Sequence, residues 1–244
     1  MSAPGRAPLR LLCVHGYRQN DATFRDKTGA LRKLLKKQAE LVYISAPHRV
    51  VHSAAPPAEP EQGATTAGTG GEDQPDHQEA DSRGWWFSDV RARSFDAAQQ
   101  CEASLGLEDS VDAVREAVRT LGPFDGILGF SQGAALVAML CALQERQVEP
   151  DFRFRFAILV AGFRSACAQH AKFYASAPLA IPSLHVFGQT DRVIPEAASR
   201  ELLPRFERPE VLAHPGGHFV PAASAHRHVY QEFLEKFFVK GERK

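Results

Sequence analysis

Three residues of this 244-residue chain have the types and spacing to do nucleophilic chemistry: Ser131, Asp191 and His218. Ser131 sits in Gly129-Phe130-Ser131-Gln132-Gly133, between the short apolar run 126-GILGF and an apolar stretch that reads as a helix. Glycines two before and two after a serine suit a sharp strand-to-helix turn, because side chains there would collide with neighbouring backbone. Such a turn exposes the serine Oγ at a helix N-terminus, where the dipole favours developing negative charge. An ordinary helix N-cap serine between incidental glycines has the same sequence. Its partners must separate the two readings.

His218, after Gly216-Gly217, is the candidate general base, and Asp191 the candidate acid that orients it. A turn or cap aspartate ahead of Pro195 is the plain alternative for Asp191. Asp125 is a rival acid, but it precedes its strand and falls at the wrong edge of the sheet. Backbone N–H groups of Gln132 and Tyr17 are the positional candidates for an oxyanion hole. His214, at a strand end, reads as a paired core histidine, and His15 as a structural group beside the site. His226 and His228 lie two apart on the final helix, so they face different ways and form no metal pair. No cluster has metal-ligand spacing, and no metal is expected.

The elements that must position these groups alternate. Strands are expected at 9-LRLLCVHG-16, 41-LVYISAP-47, 124-FDGILGF-130, 156-FAILVAGF-163, 183-SLHVFG-188 and 211-VLAH-214. Helices are expected over 21–37, 107–121, 134–144, 196–206 and 222–238, from apolar residues three or four apart or from an apolar run. Continuous apolar strands alternating with helices give an α/β fold, a mostly parallel central sheet with helices on both faces. In such a sheet ligands gather outside the carboxyl ends of the strands. Ser131, Asp191 and His218 all fall there, in that chain order.

Between Ser53 and Arg83 the composition changes: Pro, Gly, Glu, Asp and Gln dominate, and Leu, Ile, Val and aromatic residues are absent. The segment cannot bury enough apolar surface to offset its ordering entropy, so it reads as a disordered acidic insertion. The part before it looks too small to fold alone, and the expectation is one domain over 1–244 interrupted at 53–83.

Lys plus Arg and Asp plus Glu number 29 each, which gives no argument for nucleic acid as partner. Cys13, Cys101, Cys141 and Cys167 are scattered singly, as expected of free thiols in a reducing compartment. The N-terminus lacks a signal-peptide pattern, and the longest apolar run, 134–143, is about half the roughly 20 residues of a membrane span. A cytoplasmic or nuclear location is expected; oligomeric state is not encoded in any visible pattern.

Together LCVHGYRQN, GWWFSD, LGPFDGILGFSQGAALVAMLCAL, SLHVFGQTDRVIP and PGGHFVPAA resemble the FSH family of serine hydrolases, from Leu9 to about Phe238. The resemblance implies the α/β-hydrolase fold, no cofactor, nucleophile Ser131, acid Asp191 and base His218. It also implies a small-molecule or lipid-like ester with an aliphatic acyl chain as substrate. Relatives that cleave acyl-carrier or acyl-protein thioesters keep that activity open, and a hydrolase fold retained only for binding is the reading from another class. Trp85, Trp86, Phe130, Phe163 and Phe219 are candidates to line an apolar acyl pocket. Plain core packing serves the tryptophans equally well.

Overall fold

The computed structural model describes residues 7–51, 81–175 and 177–238. Six strands, β1 (Leu9–Val14), β2 (Ala39–Ile44), β5 (Gly126–Phe130), β6 (Phe156–Val160), β7 (Ser183–Gly188) and β8 (Glu210–His214), form one sheet in the order β2-β1-β5-β6-β7-β8. Every pair is parallel. All residues of β5, β6 and β7 are buried, the physical reason their sequences run apolar without alternation. A separate two-stranded ribbon pairs β3 (His48–Arg49) with β4 (Arg83–Gly84).

Helices α1 (Asp21–Lys27) and α2 (Gly29–Leu35) connect β1 to β2, and α3 (Leu107–Leu121) leads into β5. Next come α4 (Gln132–Glu145), α5 (Glu196–Leu202) and α6 (Arg227–Glu235). The chain leaves β1 in one direction for β2 and in the other from β5 onward. Right-handed crossovers then put helices on opposite faces. Contacts agree: α2 packs on α6, while α4 covers β5 and β6. α3 buries Leu107, Val111, Val114 and Ala117 along one stripe and is amphipathic, whereas α4 is buried from Gln132 to Ala142 and is apolar all round. The buried residues form one hydrophobic cluster extending from Leu9 to Phe237.

Local physics moves several boundaries. The helix expected over 21–37 is two helices that part at Thr28, whose Oγ1 donates to the Phe24 carbonyl at 2.7 Å and whose φ/ψ of −98°/13° leaves the helical region. β6 stops at Val160 because Ala161 adopts φ +50°. The last helix starts at Arg227, after a 3-10 turn over Ser224–His226. Most of the acidic insertion expected at 53–83 lies outside the described residues, but Asp81–Arg83 belong to the fold. Arg83 N–H donates to Gln19 O at 2.9 Å and Arg83 O accepts from Arg18 N–H at 2.8 Å, tying this return to the loop after β1.

The strand order reverses at β1, between β2 and β5. That switch point brings the loop after β1 beside the turn after β5, where an open parallel sheet forms its crevice.

Candidate active site

Ser131 forms the turn between β5 and α4 at φ +55°, ψ −118°, a region that a residue with a side chain occupies only when its surroundings enforce it. Enforcement comes from both sides. Ser131 N–H donates to Val160 O at 2.8 Å, and α4 starts at the next residue. A Cβ on Gly129 would lie 2.5 Å from Gly133 O, and one on Gly133 would lie 2.3 Å from Val14 O and 2.4 Å from His15 O. Only glycine lets α4 approach the end of β1 this closely. The serine makes no side-chain cap bond, so its hydroxyl is left for another partner.

That partner is His218. Ser131 Oγ lies 3.1 Å from His218 Nε2, and His218 Nδ1 lies 2.7 Å from Asp191 Oδ2. With Nδ1–H donating to the carboxylate, Nε2 is the acceptor for the serine proton. The Asp191 side chain is fully buried, while that of His218 keeps 19% of its surface exposed. Asp191 Oδ1 accepts from the N–H groups of Val193 at 2.8 Å and Ile194 at 2.9 Å, which fixes the carboxylate before α5. Phe130 covers the imidazole, with ring centroids 4.7 Å apart. Such an arrangement can deprotonate a hydroxyl and return the proton to a leaving group.

Asp125 lies at the opposite edge of the sheet, where it accepts from Arg10 N–H and pairs with Arg155. His15 is buried; its Nδ1–H donates to Gly16 O at 2.7 Å and its Nε2 accepts from Ala46 N–H at 2.9 Å. Burial lowers its pKa to about 4, so it is neutral near pH 7. His214, expected to be a paired core histidine, is paired at one nitrogen only. Its Nδ1 accepts from Gly216 N–H at 3.2 Å, and Nε2 is buried with no partner among the described residues. Burial, then nearby His226, lowers its pKa, opposed by Asp191. Among the described residues no group of His, Cys, Asp and Glu could hold a metal ion.

Tyr17 and Gln132 flank the serine from the loop after β1 and the start of α4, and among the described residues neither N–H has an acceptor. Ser131 and His218 open onto a cleft of about 360 Å³. Its apolar walls are Tyr17, Phe95, Ala97, Phe130, Val193 and Ile194, with Gln19 and Asp96 adding polar groups. A second depression of about 340 Å³, between α3 and the end of α4, contains neither a serine nor a histidine.

Of the residues expected to line an acyl pocket, Phe130 faces the cleft and the others do not. Trp85 and Trp86 are both buried, because residues 85–87 form no extended strand with one face turned outward. Trp85 packs on His15, and Trp86 meets Phe95 and His170 edge-on. Phe163 backs Phe95 from behind, at 6.1 Å between centroids. Phe219 is half exposed and leans on His214. Phe95, Val193 and Ile194 supply the wall instead. Phe95 is a lone aromatic in the polar run 91-RARSFDAAQQ, the one sequence sign that this segment had an apolar surface to meet.

Fold and site together define a serine hydrolase of the α/β-hydrolase type. Residues 1–230 match the family described as Serine hydrolase (FSH1), and the chain belongs to that family. Esterase OVCA2 of Danio rerio is 66% identical over 230 residues, covering 94% of this chain and 98% of that protein. Among solved structures, esterase PE8 superposes with a TM-score of 0.60 at 17% identity, covering 96% of this chain and 94% of that one. Zea mays acyl-protein thioesterase 2 gives a TM-score of 0.58 at 16% identity, covering 96% and 97%. At these identities the two structures speak for the fold alone.

Proposed function

We propose that the protein hydrolyses carboxylic esters of medium- to long-chain aliphatic acyl groups, with Ser131 as nucleophile, His218 as general base and acid, and Asp191 as the group that orients the imidazole. One observation carries this reading: the unbroken Ser131–His218–Asp191 hydrogen-bond chain of 3.1 Å and 2.7 Å opening onto an apolar-walled cleft. The name esterase on a relative 66% identical over nearly its whole length supports the ester bond as target.

In the first half-reaction Ser131 Oγ attacks the ester carbonyl while its proton passes to His218 Nε2. The carbonyl oxygen becomes an oxyanion that accepts from the N–H groups of Tyr17 and Gln132, at the N-terminus of the 14-residue α4. Asp191 stabilises the imidazolium through Nδ1–H. Nε2–H then protonates the leaving alkoxide as the tetrahedral species collapses to acyl-Ser131. Water, deprotonated by His218, attacks the acyl carbon and frees the carboxylic acid and the serine.

A p-nitrophenyl ester series of rising acyl length, with matched thioesters, tests the proposal on wild type and Ser131→Ala. Turnover with an optimum at medium or long chains, lost in the variant, is the expected result. The ester-to-thioester ratio decides whether a thioesterase describes the enzyme better. A folded wild type inert on every substrate would instead favour a ligand-binding use of the cleft.

A further inference from the structure

Both donors of the proposed oxyanion hole trace back to one side chain. Gln132 supplies the first with its own backbone N–H. Its carboxamide is fully buried and reaches away from the cleft: Oε1 accepts from Trp85 N–H at 2.9 Å, and Nε2 donates to Trp86 O at 2.7 Å. These two bonds clamp the Trp85–Trp86 backbone against the start of α4. From there the Trp85 indole N–H donates to His15 O at 2.8 Å, and its ring packs on the His15 imidazole with centroids 5.0 Å apart.

His15 passes the constraint on. Its Nε2 accepts from Ala46 N–H, so Nδ1 carries the proton and donates to Gly16 O at 2.7 Å. The same carbonyl accepts from Gln19 N–H at 3.2 Å. Gly16 C=O and Tyr17 N–H belong to one planar trans peptide, in which the two groups point to opposite sides. Holding the carbonyl on His15 and Gln19 therefore fixes the direction of the Tyr17 N–H, in a loop whose Gly16 and Tyr17 line the cleft.

Building on the reading of Ser131 as nucleophile, we infer that the Gln132 carboxamide is a positioning residue for the oxyanion hole: through Trp85 and His15 it sets the angle of the Tyr17 N–H relative to the Gln132 N–H. The residue type fits the task. At this reach only a carboxamide offers one acceptor to Trp85 N–H and one donor to Trp86 O. An ionised glutamate would accept from Trp85 but repel the Trp86 carbonyl. Methionine fills the volume and offers neither bond, and asparagine is one carbon short.

The test compares wild type, Gln132→Met and Trp85→Phe, with active sites counted by fluorophosphonate labelling carried to completion. Losing a whole oxyanion donor costs about 10²–10³ in kcat, so misaiming one should lower kcat per labelled site by roughly 10–100-fold in Gln132→Met, with KM within about twofold. Trp85→Phe, which keeps an aromatic ring but loses the bond to His15 O, should show a smaller fall of the same kind. Affinity for an arylboronic acid, which forms a tetrahedral adduct on a nucleophilic serine, should weaken in step with kcat/KM, while inhibition by the product carboxylate should not change. The double variant should lose less than the two single losses combined, because both act through one chain of contacts.

If kcat per labelled site stays at the wild-type value, and only melting temperature or the labelled fraction falls, the clamp merely holds the fold and the inference is overturned. A rise in KM alone overturns it too. Should Gln132→Met fail to fold, Trp85→Phe decides by the same criteria. A wild type that neither labels nor turns over removes the esterase reading itself, a result distinct from either of those.

Discussion

Asp191→Asn preserves the shape of the acid and changes one proton arrangement. Asp191 Oδ1 holds two backbone N–H groups, those of Val193 and Ile194, while Oδ2 faces His218 Nδ1. An asparagine has one oxygen and one NH₂ to divide between these sites. Turning the NH₂ towards Val193 and Ile194 would set donor against donor and leave two backbone groups unmet, at about 1–3 kcal/mol each. The oxygen therefore stays with the backbone and the NH₂ faces Nδ1. Nδ1 must then accept, the imidazole proton moves to Nε2, and the ring presents a donor to Ser131 where the mechanism needs an acceptor. The expected fall in kcat is about 10⁴-fold, or roughly 5.5 kcal/mol on the barrier, the size known for this exchange in a serine protease triad. Stability should change by only about 1–2 kcal/mol, since the backbone bonds survive. Initial rates on a p-nitrophenyl ester, beside a thermal melt, measure both. A folded variant within tenfold of the wild-type kcat would refute the orienting role of Asp191.

Other predictions follow from burial and packing. Burial lowers the pKa values of His15 and His170 to about 4 and of His185 to about 3, from an ordinary value of 6.5. Between those limits the unfolded chain binds more protons than the folded one, so stability should fall as pH drops from about 6.5 towards 4, by up to about 3 kcal/mol for each fully buried ring. Melts from pH 7.5 to 4.5 check this; a melting temperature flat down to pH 5 would contradict it. Gly133→Ala puts a methyl against two backbone carbonyl oxygens and should abolish soluble folded protein or cost several kcal/mol. Gly162→Ala meets side-chain atoms first, the nearest Leu202 Cδ2 at 3.2 Å, and should melt within a few degrees of wild type. Phe95→Ala should lower kcat/KM most for the longest acyl chains, whereas Phe219→Ala, outside the cleft, should leave the chain-length profile unchanged.

The fold was legible where burial leaves a simple record. β5, β6 and β7 are covered on both faces, so their apolar runs announce a parallel sheet, and a parallel sheet puts the residues after each strand at one edge. Ser131, Asp191 and His218 could be picked out for that reason, each beside a glycine-bearing turn with a steric cause. The cleft wall was not legible. Phe163 and Phe219 stand next to strand ends, but position along the chain does not give direction: one backs Phe95 and the other turns to His214. Phe95 and Ala97 lie in the stretch 88–106, which has no helical or alternating period from which to read a face. Gln132 was visible only as the backbone donor after the serine. Its side-chain clamp depends on where Trp85 and Trp86 return after the 52–80 segment, a long-range meeting that local pattern does not encode.

The site of covalent capture shows whether Ser131 is the nucleophile. Wild type and Ser131→Ala are treated with a fluorophosphonate, and intact mass and peptide mapping follow the adduct. One adduct per chain is expected, on the peptide containing Ser131, with loss of ester hydrolysis in proportion to labelling and no adduct in the variant. A wild type that hydrolyses esters yet labels elsewhere, or a Ser131→Ala variant that still labels and turns over, would contradict it.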